Sequence, residues 1–185
     1  MSAELTKYRF SADEYHRIGE AGIFPSDARL ELIEGEIFEL PRISPPDAGT
    51  VSYLGRLLHR NDKAWLVSRR HPVRLDEFSE PLPDLGLLRW RDDYYRHAHP
   101  APADVLLLIE VADATAGAER MFKVPLYAKT RVRETWLVSI PEERVEIYSD
   151  PADGSYKRWE VFGRGEEARS HTLEGLAVNV SELLG

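Results

Sequence analysis

The chain has no cysteine among its 185 residues. Disulfides and thiolate metal sites are therefore excluded, and any metal must be held by carboxylates, carbonyls or imidazole; oxygen ligands would favour magnesium, manganese or calcium. Positive charge is also in short supply. Against 24 Lys and Arg stand 32 Asp and Glu, a formal net charge of −8. That argues against a protein that coats nucleic acid through charge alone, though a local basic groove on an acidic body remains compatible with it. Long apolar runs are missing too. The strongest, residues 105–109, is far shorter than a membrane span. Residues 1–7 carry no apolar signal region, so a soluble, cytoplasmic protein is expected.

What is present is ordinary for a globular protein: 43% hydrophobic and 30% charged residues. The length suits one domain, 1–185, with a substantial core. Ser11-Ala12-Asp13-Glu14 has the capping-box pattern and predicts a helix to about Glu20. Two short strands around Glu34-Gly35 read as a hairpin. Val51, Leu54, Leu57 and Leu58 recur at helical spacing between about 47 and 60. Strand patterns follow at 65–68, 73–75, 85–90 and 105–111; the last is apolar throughout and is expected at the centre of a sheet. Residues 116–129 should be helical, with a kink or late start at Pro125. Strands at 135–140, 145–148 and 156–161 complete a meander, with Asp153-Gly154 as a tight turn. No repeat or low-complexity segment interrupts this order, which predicts an α/β or α+β domain with a mixed sheet flanked by helices.

Two carboxylates stand out. Asp84 lies in Pro83-Asp84-Leu85, and Glu110 ends the most hydrophobic strand. An unpaired acid in such a place carries a large desolvation penalty. If the two strands are neighbours, the acids converge and repel, and a divalent cation between them relieves both problems. Such an ion can make a bound water nucleophilic and stabilise charge on a phosphate oxygen. Lys123, on the next helix, could orient that water or neutralise the transition state. The bland alternatives are a turn role for Asp84, an arginine partner for Glu110, and an exposed lysine pairing with Glu119 for Lys123.

The motifs Glu31-Leu32-Ile33-Glu34-Gly35-Glu36, Pro83-Asp84-Leu85, Ile109-Glu110-Val111-Ala112-Asp113, Lys123-Val124-Pro125-Leu126-Tyr127-Ala128 and Trp136-Leu137-Val138 come in one order. Together they resemble the Uma-two-like putative restriction endonucleases of the PD-(D/E)XK nuclease superfamily. The resemblance runs from about Tyr8 to Ile140. It implies a restriction-endonuclease-like core, with Mg2+ (Mn2+ as a substitute) held by Asp84, Glu110 and the Val111 carbonyl. The superfamily's usual lysine would fall at Ala112; Lys123 matches a lysine displaced to the following helix. Glu31 matches a family acid and is a further ligand or water-holder. Asp47 stands where relatives often carry histidine, and Leu82 where a glutamine often precedes Pro-Asp.

The expected function is a magnesium-dependent endonuclease acting on nucleic acid, DNA first, with a homodimer to cut both strands. The alternative is a catalytically silent nuclease fold that binds nucleic acid or a protein partner. A third class is a carboxylate-metal hydrolase of small phosphate compounds. His97 and His99 alternate in a polar loop with no third ligand type nearby in sequence, so a metal role is not favoured. Asp113 is expected to cap or turn the chain before the helix. Arg69, Arg70, His71, Arg89, Arg91 and Arg96 are read as solvated surface rather than a phosphate face. Trp65, Trp136 and Trp159 are read as core.

Overall fold

A computed structural model describes residues 5–59 and 64–185. The chain opens with α1 (Ala12–Glu20), whose capping box forms as the sequence predicts: the Ser11 hydroxyl accepts from the Glu14 amide, and Glu14 Oε2 accepts from the Ser11 amide at 2.9 Å. Strands β1 (Leu30–Ile33) and β2 (Glu36–Glu39) then pair as an antiparallel hairpin. Its turn places Glu34 at φ 49° and Gly35 at φ 86°, the paired positive values of a two-residue hairpin turn. Helix α2 (Pro45–Leu57) follows, capped by Ser44; Arg60, the expected last residue of this helix, lies outside the described residues.

The body is a six-stranded mixed sheet in the order β3-β4-β5-β6-β7-β8. Its strands are β3 (Leu66–Arg69), β4 (Leu85–Leu88), β5 (Val105–Ala112), β6 (Glu134–Ser139), β7 (Arg144–Ala152) and β8 (Ser155–Gly163). Only β5 and β6 run parallel, because the chain between them crosses over as a helix. That crossover has three parts: α3 (Ala116–Ala118), a π turn (Glu119–Lys123) and α4 (Val124–Lys129). The expected late start is therefore a wide turn, in which the Val124 amide reaches back to the Glu119 carbonyl. It sits just before Pro125, whose ring would crowd the carbonyl of the preceding turn in a regular helix.

Period-two alternation divides β5 between two cores. Leu107, Ile109 and Val111 pack with Val51 and Leu54 of α2 and with Trp136. Leu108 faces the other way and packs with Leu126 and Tyr127 of α4, Ile33 of the hairpin and Leu75. Glu110 shares a face with Leu108, so it points at the crossover helix. Burial at every position but one of β5 fits the expected central place.

Several expectations need correction. Residues 73–75 form no ladder strand; Val73 and Leu75 instead bond to Pro81 and Ser79 across a tight loop. Strand β4 stops at Leu88, where its register with β5 shifts. Trp65 and Trp136 are core, but Trp159 is 58% exposed and stacks against Tyr148 on the sheet surface. Strands β9 (Glu167–Arg169) and β10 (Ala177–Asn179) and helix α5 (Val180–Leu184) were not expected. They close the α2 face of the sheet with Ala168, Val178, Val180 and Leu183. Asp113, by contrast, turns the chain before the helix as expected: it lies in a bend, while Thr115 holds the N-cap position without a side-chain hydrogen bond.

Candidate active site

Register brings the two acids together. Leu85 pairs with Ile109 across β4 and β5, and one step further along sets Asp84 opposite Glu110 on the same face. The Val111 amide donates to Asp84 Oδ2 at 2.9 Å, which fixes one side of that carboxylate. Glu31, at the start of β1, approaches from the hairpin; its Oε2 accepts from the Leu82 amide at 3.0 Å.

Lys123 completes the group from the helix. It is 3% exposed, so the picture of a solvated lysine is wrong for it. Its ammonium lies 3.1 Å from Glu31, 3.2 Å from Glu110 and 3.5 Å from Glu119. The Glu119 pairing foreseen as a bland alternative does exist, yet it is the longest of the three. Tyr127 donates its hydroxyl to the other Glu110 oxygen at 2.5 Å. A cavity of about 150 Å³ opens beside this group, lined by Glu31, Glu119, Lys123 and Phe122 among others.

The charges do not balance. Burial pushes the Glu110 carboxyl up, and Glu119, Asp84 and Glu31 push it further, against the pull of Lys123. Glu119 is raised as well, by burial first. Burial lowers Lys123, but the attraction of Glu110, Glu119, Glu31 and Asp84 outweighs it and holds the ammonium above its usual value. Burial raises the Tyr127 phenol, which therefore acts as a donor to Glu110. Glu119 Oε2 is buried, and the long contact to the Lys123 ammonium falls short of good hydrogen-bond geometry.

Two other buried acids of the sheet show what a satisfied carboxylate looks like. Glu134 accepts from Trp136, His171 and both donors of Thr172. Glu146 accepts from Arg120, Arg144 and Tyr148. The group around Lys123 lacks that completeness, and its oxygen donors suit a hard divalent cation.

Arg70, expected on the solvated surface, lies inside this region. Its Nε donates to Asp84 Oδ1 at 3.0 Å and its terminal nitrogen to Asp47. Arg70 sits at φ 51°, an uncommon backbone for a residue with a long side chain. Burial and Asp84 raise the Asp47 carboxyl, with Arg70 and Arg29 opposing. The acid at position 47 thus anchors an arginine against the first acid of the pair. No sequence pattern signals Arg70, because it is one of three consecutive basic residues whose neighbours point elsewhere. Glu119 had a signal, its i−4 spacing from Lys123. Leu82 enters through its backbone amide, so its side-chain identity is secondary.

Residues 12–181 match the model of the Uma2 family, described as putative restriction endonuclease. The chain belongs to this family. A crystal structure of a putative nuclease belonging to DUF820 from Anabaena variabilis is similar over 95% of this chain and 97% of that one, with a TM-score of 0.71 and 15% identity. That likeness shows the fold, which is restriction-endonuclease-like, as the motif resemblance implied. No curated protein matches the chain. Among the described residues of this Uma2 protein, no helix is long and apolar enough to cross a membrane.

Proposed function

We propose that this Uma2 protein is a magnesium-dependent endonuclease that hydrolyses phosphodiester bonds in nucleic acid, DNA first, acting as a cytoplasmic homodimer. The observation that carries the reading is the gathering of Glu31, Glu110 and Glu119 around the one ammonium of Lys123, with Asp84 beside them. A buried excess of negative charge is costly, and a divalent cation relieves it. Asp84, Glu110 and the Val111 carbonyl are the ligands of choice, with Mn2+ as a substitute for Mg2+. Bound there, the ion would lower the pKa of a water and neutralise charge on a phosphate oxygen. Lys123, held protonated by its acids, orients that water or meets the developing negative charge. Glu31 keeps the ammonium aimed, and Tyr127 fixes the rotamer of Glu110.

One observation favours a second reading, a nuclease fold that binds without cutting. The Arg70 guanidinium occupies one oxygen of Asp84 and is braced by Asp47. Calorimetry with Mn2+ and a cleavage panel of duplex and single-stranded DNA and RNA separate the two. Mn2+ binding that Asp84→Ala abolishes, with cleavage lost in Lys123→Ala, supports the endonuclease. Metal binding without any cleavage supports the silent fold. Failure to bind Mn2+, or equal affinity in Asp84→Ala, refutes the metal site itself.

A further inference from the structure

Away from the acids of the sheet, His16, Glu80 and His99 meet, each offering one ligand atom and all three atoms within 4.8 Å of one another. His16 comes from α1, Glu80 from the segment that bridges to β1 at Leu32, and His99 from the loop before β5. Sequence spacing gave His99 no third ligand type; the fold supplies two partners from distant positions. Glu80 shares its side of the hairpin bridge with Leu32, whereas Glu31 next to it points to Lys123. The two sites therefore lie on opposite faces of that layer.

We propose that His16, Glu80 and His99 form a zinc site. Glu80 is 2% exposed, and among the described residues its carboxylate has His16 as its side-chain partner, with both oxygens about equally near the same ring nitrogen at 3.0 and 2.9 Å. That pair is charged on both sides only when the imidazole is protonated. A divalent cation provides the countercharge that a buried carboxylate requires whatever the imidazole's state. The ring of His99 lies stacked near that of His16, 5.9 Å between centroids and 19° apart in plane. Tetrahedral zinc needs donor atoms about 3.3 Å apart, from bonds of about 2.0–2.1 Å, so a small rotation of the exposed His99 closes the set.

The scaffold holds the three donors in place independently of any ion. The Ala12 amide bonds to the Glu77 carbonyl at 2.8 Å, tying α1 to the Glu80 segment. The Arg74 amide bonds to the Pro100 carbonyl at 2.9 Å and its side chain to Asp13, tying the His99 loop to both. Such prior support is what a metal site demands of its surroundings. Two imidazoles and one carboxylate select zinc or a similar borderline ion over magnesium. The fourth position faces solvent, because His16 borders cavities of about 560 and 700 Å³. A bound ion would clamp the loop of residues 92–100 onto α1.

The site stands whether or not the carboxylate group cleaves anything, and its test is built to show that. Zn2+ is titrated by calorimetry into Asp84→Ala protein, where the carboxylate site is broken. One Zn2+ per chain is expected, outcompeting excess Mg2+. Adding His99→Ala, an exposed loop change, should weaken Zn2+ by more than about 100-fold, beyond the loss expected from an outer partner. Glu80→Gln, which keeps the shape of the buried side chain, should do the same. His97→Ala, which lines the same cavity, should bind as before. Absence of stoichiometric Zn2+ in the Asp84→Ala protein, or affinity unmoved by His99→Ala, overturns the proposal.

Discussion

Replacing Lys123 by methionine isolates the charge imbalance. The substitution keeps a long apolar stem and removes the ammonium that, among the described residues, faces Glu31, Glu110 and Glu119 at 3.1, 3.2 and 3.5 Å. Breaking a buried ion pair from one side costs about 3–5 kcal/mol. Here a second route limits the loss, because Glu110 can take up a proton instead of staying charged. Keeping an acid of ordinary value 4.5 protonated costs about 1.36 kcal/mol per pH unit above that value. For Glu110 alone the ceiling is then about 3.4 kcal/mol near pH 7 and about 0.7 kcal/mol near pH 5. The sign comes from the direction of the shift. A carboxyl raised in the folded state binds its proton more tightly there than when unfolded. Stability is therefore greatest below the ordinary value and falls as pH climbs toward the folded one. Urea unfolding of wild type and Lys123→Met at about pH 5 and pH 7 measures the difference. The expected loss is several-fold larger at the higher pH, and Glu110→Gln in the same background should return much of it. An equal loss at both values, or none near pH 7, would refute the reading of a single ammonium holding three acids.

Two neighbouring contacts carry further expected outcomes. Arg70→Ala frees both Asp84 and Asp47 of their guanidinium, so Mn2+ affinity by calorimetry should rise about tenfold, equivalent to about 1.4 kcal/mol; unchanged or weaker binding would mean that the arginine does not compete for Asp84. Tyr127→Phe removes the phenol that donates to Glu110, which should cost about 1–2 kcal/mol in urea unfolding and steepen the loss of stability with rising pH.

How much of this could be read from the residues depends on how local the cause is. The capping box of α1 and the Glu34-Gly35 turn are set by neighbours within four positions, and both formed as expected. The apolar run of β5 declared its central place because both its faces are covered. Asp84 and Glu110 were legible because acids beside apolar runs are costly, and pairing of β4 with β5 brings them opposite each other. Arg70 was not, since its role arises from a positive φ that turns one arginine of a basic cluster inward. Trp159 misled because strand position alone does not say which face is covered; its strand is the last of the sheet. The His16, Glu80 and His99 group has no sequence signature, as its members come from three separate segments.

The π turn of residues 119–123 has a wider meaning. By holding one residue more than an α turn, it offsets the angular phase of the helix on its N-terminal side from that on its C-terminal side by about 100°. The downstream half answers to packing, through Leu126 and Tyr127 in the core. The wide turn itself answers to charge, through Glu119 and Lys123 at its two ends. One helix thus serves two masters whose spacing requirements differ, and the extra residue works as a gear between them. It lets the Lys123 ammonium reach Glu110 from outside the strand, while Ala112, two residues further along β5, stays small and fully buried.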